Sequence, residues 1–291
     1  MGTEEYFRLS SAKQYAVAPQ QHPEFYNVKH VSSTPRSGTQ TLERGVLLLK
    51  ELAARGTVGW RLSDLARRCE LDKGTAHRIM AFFVRERLAR QREGDRRYVP
   101  GPLLFELSLA LPAYAGFQAA CAPHLERAAS RTGGFAFLCL RSGGDFVCAA
   151  NAGSASIKAL SHEVGLRRPL VVSAGGVAIV LALPPEEARA VVAENMKRVQ
   201  KSGEVRVKAV ERMLRRSESH GYGVHLSDVV PRVNTYGVPI RDARGAPFAS
   251  ISIAGASEDF PHARALELLA VLEEAASAIA RDAGALLESR P

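Results

Sequence analysis

The feature that most constrains this chain is the order of patterns between Thr41 and Val99. Three apolar stripes at helical spacing come first, then two short runs folded back on a glycine-containing turn. Thr41 reads as the N-cap of a first helix whose stripe is Leu42, Val46, Leu49, Leu52 and Ala53, ended by Arg55-Gly56. Ser63 reads as the cap of a second helix, with Leu62, Leu65, Ala66 and Cys69 on one face. After a break at Glu70-Leu71, Asp72 caps a third helix that turns Ala76, Ile79, Met80 and Phe83 inward. Leu88 to Arg92 and Arg96 to Val99 then flank Glu93-Gly94-Asp95 as a hairpin. Two short helices joined by a tight turn after a longer one, closed by a hairpin, make a winged helix-turn-helix.

The charge is placed to suit a polyanion. The 291-residue chain carries a formal net charge of +9, and residues 41–100 supply most of it, with fourteen Lys and Arg against eight Asp and Glu. Lys73, Gly74, Thr75, His77 and Arg78 face solvent near the start of the third helix, Arg44 lies on the first, and Arg90, Arg92, Arg96 and Arg97 stud the hairpin. Arg and Lys neutralise phosphates and release counterions, Arg can grip guanine bidentately, and Thr75 can reach a phosphate or a thymine methyl. Double-stranded operator DNA is the expected partner, and because one wing reads only a half-site, a homo-oligomer (dimer or dimer of dimers) is expected too.

Other function classes find less support. Cys69, Cys121, Cys139 and Cys148 lie far apart with no C-x-x-C pair, so they read as buried thiols, and no metal or cofactor is expected. There is no nucleotide-binding glycine fingerprint after a strand, no G-x-S-x-G and no H-E-x-x-H, so catalytic residues are not expected. The alternative is an enzyme with a hydrolase-like site around Ser173, His225 and Asp228 and a targeting winged-helix module. A third reading has the winged module bind protein rather than DNA. The apolar run from Pro169 to Pro185 is broken by Ser173, Gly175 and Gly176 and is too short to span a bilayer, and no secretory pattern follows Glu4-Glu5. A cytoplasmic protein without membrane contact is the expectation.

Thr41-Leu42-Glu43-Arg44-Gly45, Leu62-Ser63-Asp64-Leu65-Ala66-Arg67-Arg68 and above all Leu71-Asp72-Lys73-Gly74-Thr75-Ala76-His77-Arg78 resemble the IclR family of bacterial transcriptional regulators. Tyr98-Val99-Pro100-Gly101 resembles the family's wing closure, and the likeness extends over about residues 41 to 285. It implies an α+β chain in which an N-terminal winged helix-turn-helix precedes a C-terminal GAF-like effector-binding domain with an antiparallel sheet. The expected divisions are a disordered arm (1–39), the DNA-binding domain (40–101), a linker helix (102–120, helical from Pro102 to Leu111) and the effector domain (121–291). The residues of that last part agree with an α+β reading. Cys121 to Thr132 is an amphipathic helix; Phe135 to Leu140 and Phe146 to Ala150 form a hairpin across Ser142-Gly143-Gly144. Helices Pro185 to Asn195 and Val205 to His220, strands Gly237 to Arg241 and Pro247 to Ala254, and a helix from about Pro261 to Leu287 follow.

The resemblance further implies a small organic acid as effector. It brings Ser173 and the backbone amides of Ala174 and Gly175, at the start of a helix, together with Ser252, and it adds Val171, His225, Val233 and Thr235 around them. Small residues at a helix N-terminus suit close approach of an anion in any case, although Gly175-Gly176 is equally explained by tight packing of that helix on the sheet. Val171 stands where the family often has histidine, His225 where an acid is frequent, Thr235 where cysteine is common, and Ala254 where a second serine can occur. That altered polar pattern points to an aromatic or hydroxy acid rather than the smallest keto acids. Phe137, Cys139 and Ala150 are candidates for an apolar wall or for plain core.

Overall fold

A computed structural model describes residues 39–153 and 164–288, so the expected arm lies, Thr39 apart, outside the described residues. The first unit comprises α1 (Gln40–Arg55), α2 (Leu62–Arg68), α3 (Lys73–Arg85) and the hairpin β1 (Ala89–Gln91) and β2 (Tyr98–Pro100). Its core is small: Leu48, Leu52, Leu65, Ile79, Met80 and Phe83 meet at the centre. Trp60 joins the wing to α1, exchanging backbone bonds with Tyr98 at 2.9 and 2.8 Å while its indole N–H donates to the Glu51 carbonyl at 2.8 Å.

Four local expectations are corrected here. The cap of α1 is Thr39 rather than Thr41, its hydroxyl meeting the Glu43 carboxylate at 3.2 Å. The inward stripe of α1 is Gly45, Leu48 and Leu52, whereas Leu42 and Val46 are 68% and 42% exposed. The α2 helix starts before Ser63, because the Arg61 carbonyl already accepts the Asp64 and Leu65 amides. In the wing it is Arg96, at φ 58°, that takes the left-handed conformation, not Gly94. The third helix is as expected, with Asp72 accepting the Thr75 amide at 2.8 Å and Ala76, Ile79, Met80 and Phe83 buried.

Beyond the wing, α4 (Pro102–Ser108) stops three residues short of the expected end, and α5 (Pro112–Thr132) begins well before Cys121. Pro112 forces the break, because the residue before a proline leaves the helical region, and Leu111 sits at φ −121°, ψ 61°.

A single sheet organises the second unit. Its strands are β3 (Phe135–Ser142), β4 (Asp145–Ala152), β5 (Arg167–Pro169), β6 (Gly223–Leu226), β7 (Val233–Arg241) and β8 (Pro247–Ala256), in antiparallel order β5-β4-β3-β8-β7-β6. Two of them, β5 and β6, are additional to those read from sequence. One face carries α5 and α9 (Ala265–Glu288); the other carries α6 (Ala174–Ala182), with α7 (Pro185–Gln200) and α8 (Glu204–His220) behind it. The strands at the centre are buried on both faces and their residues alternate: Ala136, Leu138, Ile251 and Ile253 point to α5 and α9, while Phe135, Phe137, Cys139 and Ala254 point to α6. Ala150 packs on the α5 and α9 side, which removes it from any wall shared with Phe137 and Cys139. All four cysteines are buried and lie outside any disulfide, and burial pushes Cys69, Cys121 and Cys148 up to about 12.

Candidate functional site

Two places in the molecule bring functional groups together. The first is the exposed side of the winged unit. Lys73, Gly74, His77 and Arg78 are exposed at the N-terminal end of α3, and Thr75 is half-buried beside them. Arg78 donates to the Thr75 hydroxyl at 3.3 Å, and hydrogen bonds from Thr75 hold Asp72 below the usual carboxylate range. The Asp72 charge thereby caps the helix, while the cationic side chains next to it remain directed outward.

The four wing arginines divide into two pairs. Arg92 grips Asp95 at 2.6 Å and donates to the Thr57 carbonyl at 2.9 Å, and Arg97 reaches Asp95 at 3.4 Å and the Gly59 carbonyl at 3.2 Å. The Arg92 bond holds the Asp95 carboxyl down at about 2, so the tie persists throughout the neutral range. Arg90 and Arg96 are exposed. Two arginines therefore fix the shape of the wing and two present charge. Arg44, on α1, is half-buried.

The second place lies where α6 meets the sheet. Ser173 caps α6, its Oγ accepting the Gly176 amide at 3.0 Å, and the first helical turn leaves the Ala174 and Gly175 amides without intrahelical acceptors. Glycine is required at two contacts. A Cβ on Gly175 would stand 2.4 Å from Ser252 Oγ and 2.7 Å from Ser250 Oγ, and one on Gly223 would stand 1.9 Å from the Ala174 carbonyl oxygen. Helix start and sheet are thus pressed together at the row Gly223, Gly237, Ser252, Phe137.

Among the described residues, three buried polar atoms on this face have no hydrogen-bond partner: Ser250 Oγ, Ser252 Oγ and His225 Nδ1. Leaving a buried polar group unpaired costs about 1–3 kcal/mol, so three on one face of one sheet call for a partner from outside the chain. His225 lies in the next row, with Thr235 and Ala254. Its Nε2 accepts the Val229 and Val230 amides at 2.7 and 3.0 Å, which places the ring proton on Nδ1. Burial lowers the His225 pKa against an opposing pull from Asp228; the Val233 carbonyl favours the proton too, without meeting hydrogen-bond geometry at Nδ1. Val171, Val233 and Thr235 are buried around these groups. The Val171 amide is held at 3.2 Å by the Asn195 side chain, which donates at 3.0 Å to the Gly144 carbonyl.

Ser250 and Asn195 are the groups that reading the sequence missed. The serine absent at Ala254 has a counterpart at Ser250, on the same face by the period-two alternation of β8, which the Ser250-Ile251-Ser252 pattern already carries. A Ser-His-Asp relay is not assembled among these residues: His225 Nε2 is occupied by backbone amides, and Asp228 is bound by Arg216 at 2.5 Å and approached by Arg212 at 3.6 Å. Among the described residues no group of three His, Cys, Asp or Glu could hold a metal ion, and no helix is long and apolar enough to cross a membrane.

Comparison with known proteins bears on both places. Residues 41–93 match the IclR helix-turn-helix domain, and residues 115–281 match the family of bacterial transcriptional regulator IclR C-terminal domains. The chain is 26% identical over 259 residues to the glycerol operon regulatory protein of Streptomyces coelicolor, covering 84% of this chain and 97% of that one. It is 24% identical over 223 residues to the transcriptional repressor AllR of Salmonella typhi, covering 76% and 82%. Among solved structures, an IclR family transcriptional regulator from Brucella abortus superposes with a TM-score of 0.67 at 19% identity, over 86% of this chain and 96% of that one. An IclR homolog from Microbacterium hydrocarbonoxydans, solved in complex with 4-hydroxybenzoate, superposes with a TM-score of 0.60 at 23% identity, over 86% and 100%.

Proposed function

The chain belongs to the IclR family of bacterial transcriptional regulators, and from that premise we propose that it is a cytoplasmic, non-enzymatic regulator whose operator binding is set by a small organic acid. The observation that carries the effector half is the trio of unpaired buried atoms at Ser250, Ser252 and His225. A carboxylate would sit against the Ala174 and Gly175 amides at the positive end of α6 and accept from the two serines. The His225 Nδ1–H is a third donor, suited to the oxygen of a hydroxyl or a second carboxylate. An aromatic or hydroxy acid fits that donor set better than a two-carbon keto acid, and the 4-hydroxybenzoate bound to the Microbacterium homolog is an acid of this class.

The DNA half rests on the outward cations of α3 and the wing. Lys73, Thr75, His77 and Arg78 would meet the major groove, Arg90 and Arg96 the flanking phosphates, and Arg92 and Arg97 would shape the wing that carries them. Reading a two-fold operator calls for at least a homodimer, and Leu42, Phe105 and Leu109, each more than 60% exposed on α1 and around α4, offer an apolar surface for it.

Calorimetric titration of the full chain with 4-hydroxybenzoate, other hydroxy and aromatic acids, pyruvate and glyoxylate tests the first half. Binding of a hydroxy or aromatic acid that vanishes in Ser252→Ala is the expected result, and tight glyoxylate binding would refute the ligand class. Operator fragments in a salt series test the second half: Arg96→Ala should lower the slope of log affinity against log salt by about 1, with stability unchanged.

A further inference from the structure

A deep recess lies between the two units. A cleft of about 870 Å³ opens between α1 and α2 on one side and β5, α7 and the start of α8 on the other, within the size range of small-molecule sites. Its lining shares no residue with the serines of β8 or the first turn of α6, and it contains none of the outward residues of α3 or the wing.

Among the described residues, seven arginines line this cleft against two acidic residues, Glu51 and Asp64. On the winged side Arg68 pairs with Glu51 at 3.1 Å and Arg67 with Asp64 at 2.5 Å, while Arg55 lies over the Trp60 ring at 4.2 Å. Across the cleft, Arg167 and Arg198 share one carboxylate, Asp145, at 3.4 and 2.5 Å. Arg206 donates to the Val229 carbonyl at 3.2 Å, which supplies no charge. Arg168 is exposed to the cleft and has neither a carboxylate nor a carbonyl partner among the described residues. Its enclosure, and then the Arg68 charge, lower the pKa of its guanidinium against a weaker pull from Glu51. Arg206 is lowered in the same way, by burial and by Arg168.

Like charges from two different units thus face each other across a gap, and among the described residues each unit alone supplies too few carboxylates to neutralise its own side. Holding them close is unfavourable unless an anion enters, because unscreened like charges repel more strongly away from bulk water. Guanidinium groups are also the side chains best matched to phosphate and carboxylate oxygens. We propose that the cleft between α1–α2 and β5–α7 binds a compact polyanion, with at least three negative charges on phosphate or carboxylate groups, which bridges the two units and draws them together. The Lys201–Glu70 ion pair already crosses the same seam beside it. Duplex DNA is the weaker candidate, because the arginines line a recess rather than the outward helix and wing.

Sodium tripolyphosphate and citrate, titrated calorimetrically into the full chain, probe the site and separate the phosphate source from the carboxylate source. Saturable binding of at least one is expected, with orthophosphate weaker by about tenfold or more. Arg168→Gln combined with Arg206→Gln should weaken that binding by about tenfold or more while melting stays unchanged. Arg215→Gln combined with Arg281→Gln, outside the cleft, should leave it intact. Absence of binding by both probes, or an equal loss in the control pair, overturns the proposal. A double variant that loses operator affinity while no polyanion binds would assign the cleft to DNA and overturn it too.

Discussion

The outer side of α3 and the inner end of α6 are both arranged to meet anions, and they do so by opposite means. On α3 the cations stand in water, where Lys73 or Arg78 costs little without an ion-pair partner, so the surface can wait for a phosphate without strain. At α6 the waiting groups are hydroxyls and a ring nitrogen sealed from solvent, where each missing partner is expensive. An exposed site is therefore tuned by long-range charge and salt, and a buried one by shape and hydrogen-bond count. Replacing one residue should have different signatures in the two places.

The largest effect should come from filling the contact at α6. Gly175→Val puts a branched side chain where even a Cβ would press on Ser252 and Ser250, and should cost about 3 kcal/mol of stability and abolish the effector response. Operator binding below the lowered melting temperature should survive. If it vanished as well, the two places would not be separable.

Arg78→Ala should weaken operator binding by about 2 kcal/mol if the guanidinium reads a base, with relaxed preference at one position, and by less and uniformly if it touches only phosphate. Fluorescence anisotropy on matched and mutated operators separates the two outcomes. Melting should not change, since Arg78 is exposed. A destabilised protein would mean that the exposed and the buried anion sites do not differ in this way.

Ser252→Ala should act in the reverse sense on stability. Removing an unpaired buried hydroxyl is neutral or stabilising by about 1 kcal/mol in the free protein, while affinity for the organic acid falls. A destabilised free protein would mean that the hydroxyl already has a partner.

The smallest effect is a pH dependence. Burial depresses the pKa of His225 in the folded chain below its ordinary 6.5, so its contribution to stability is complete above about pH 6.5. As the pH falls through that value the unfolded chain takes up the proton first and stability is lost. Melting temperatures should decline from about pH 7.5 to about pH 5.5, with a flatter profile in His225→Gln. An equal slope in the variant would assign the effect elsewhere.

Legibility in the sequence followed the same division. The α3 helix could be read because its apolar residues lie on one side only, with Lys73, His77 and Arg78 on the other. On α1 the same reasoning was right for Leu49 and Leu52 but not for Leu42 and Val46: Leu42, Val46, Leu47, Leu48 and Leu49 are apolar most of the way round, and periodicity cannot say which side faces inward. The short edge strands β5 and β6 are set by pairing with β4 and β7 rather than by their own residues, and Arg167-Arg168-Pro169 carries no strand signal at all. Ser252 came with the family likeness, but its isolation from every partner is a fact of packing. The division of labour among the wing arginines was equally hidden, because it depends on Asp95 and on carbonyls some 35 residues away in sequence.

Asn195 acts as a tie rod. Its amide fastens the backbone just before α6 to the tip of the β3–β4 hairpin at Gly144. The very next residue, Asp145, is the shared counterion of Arg167 and Arg198. One side chain thus links the stretch of chain ahead of the buried serines to the neighbour of the carboxylate that holds two guanidiniums at the seam.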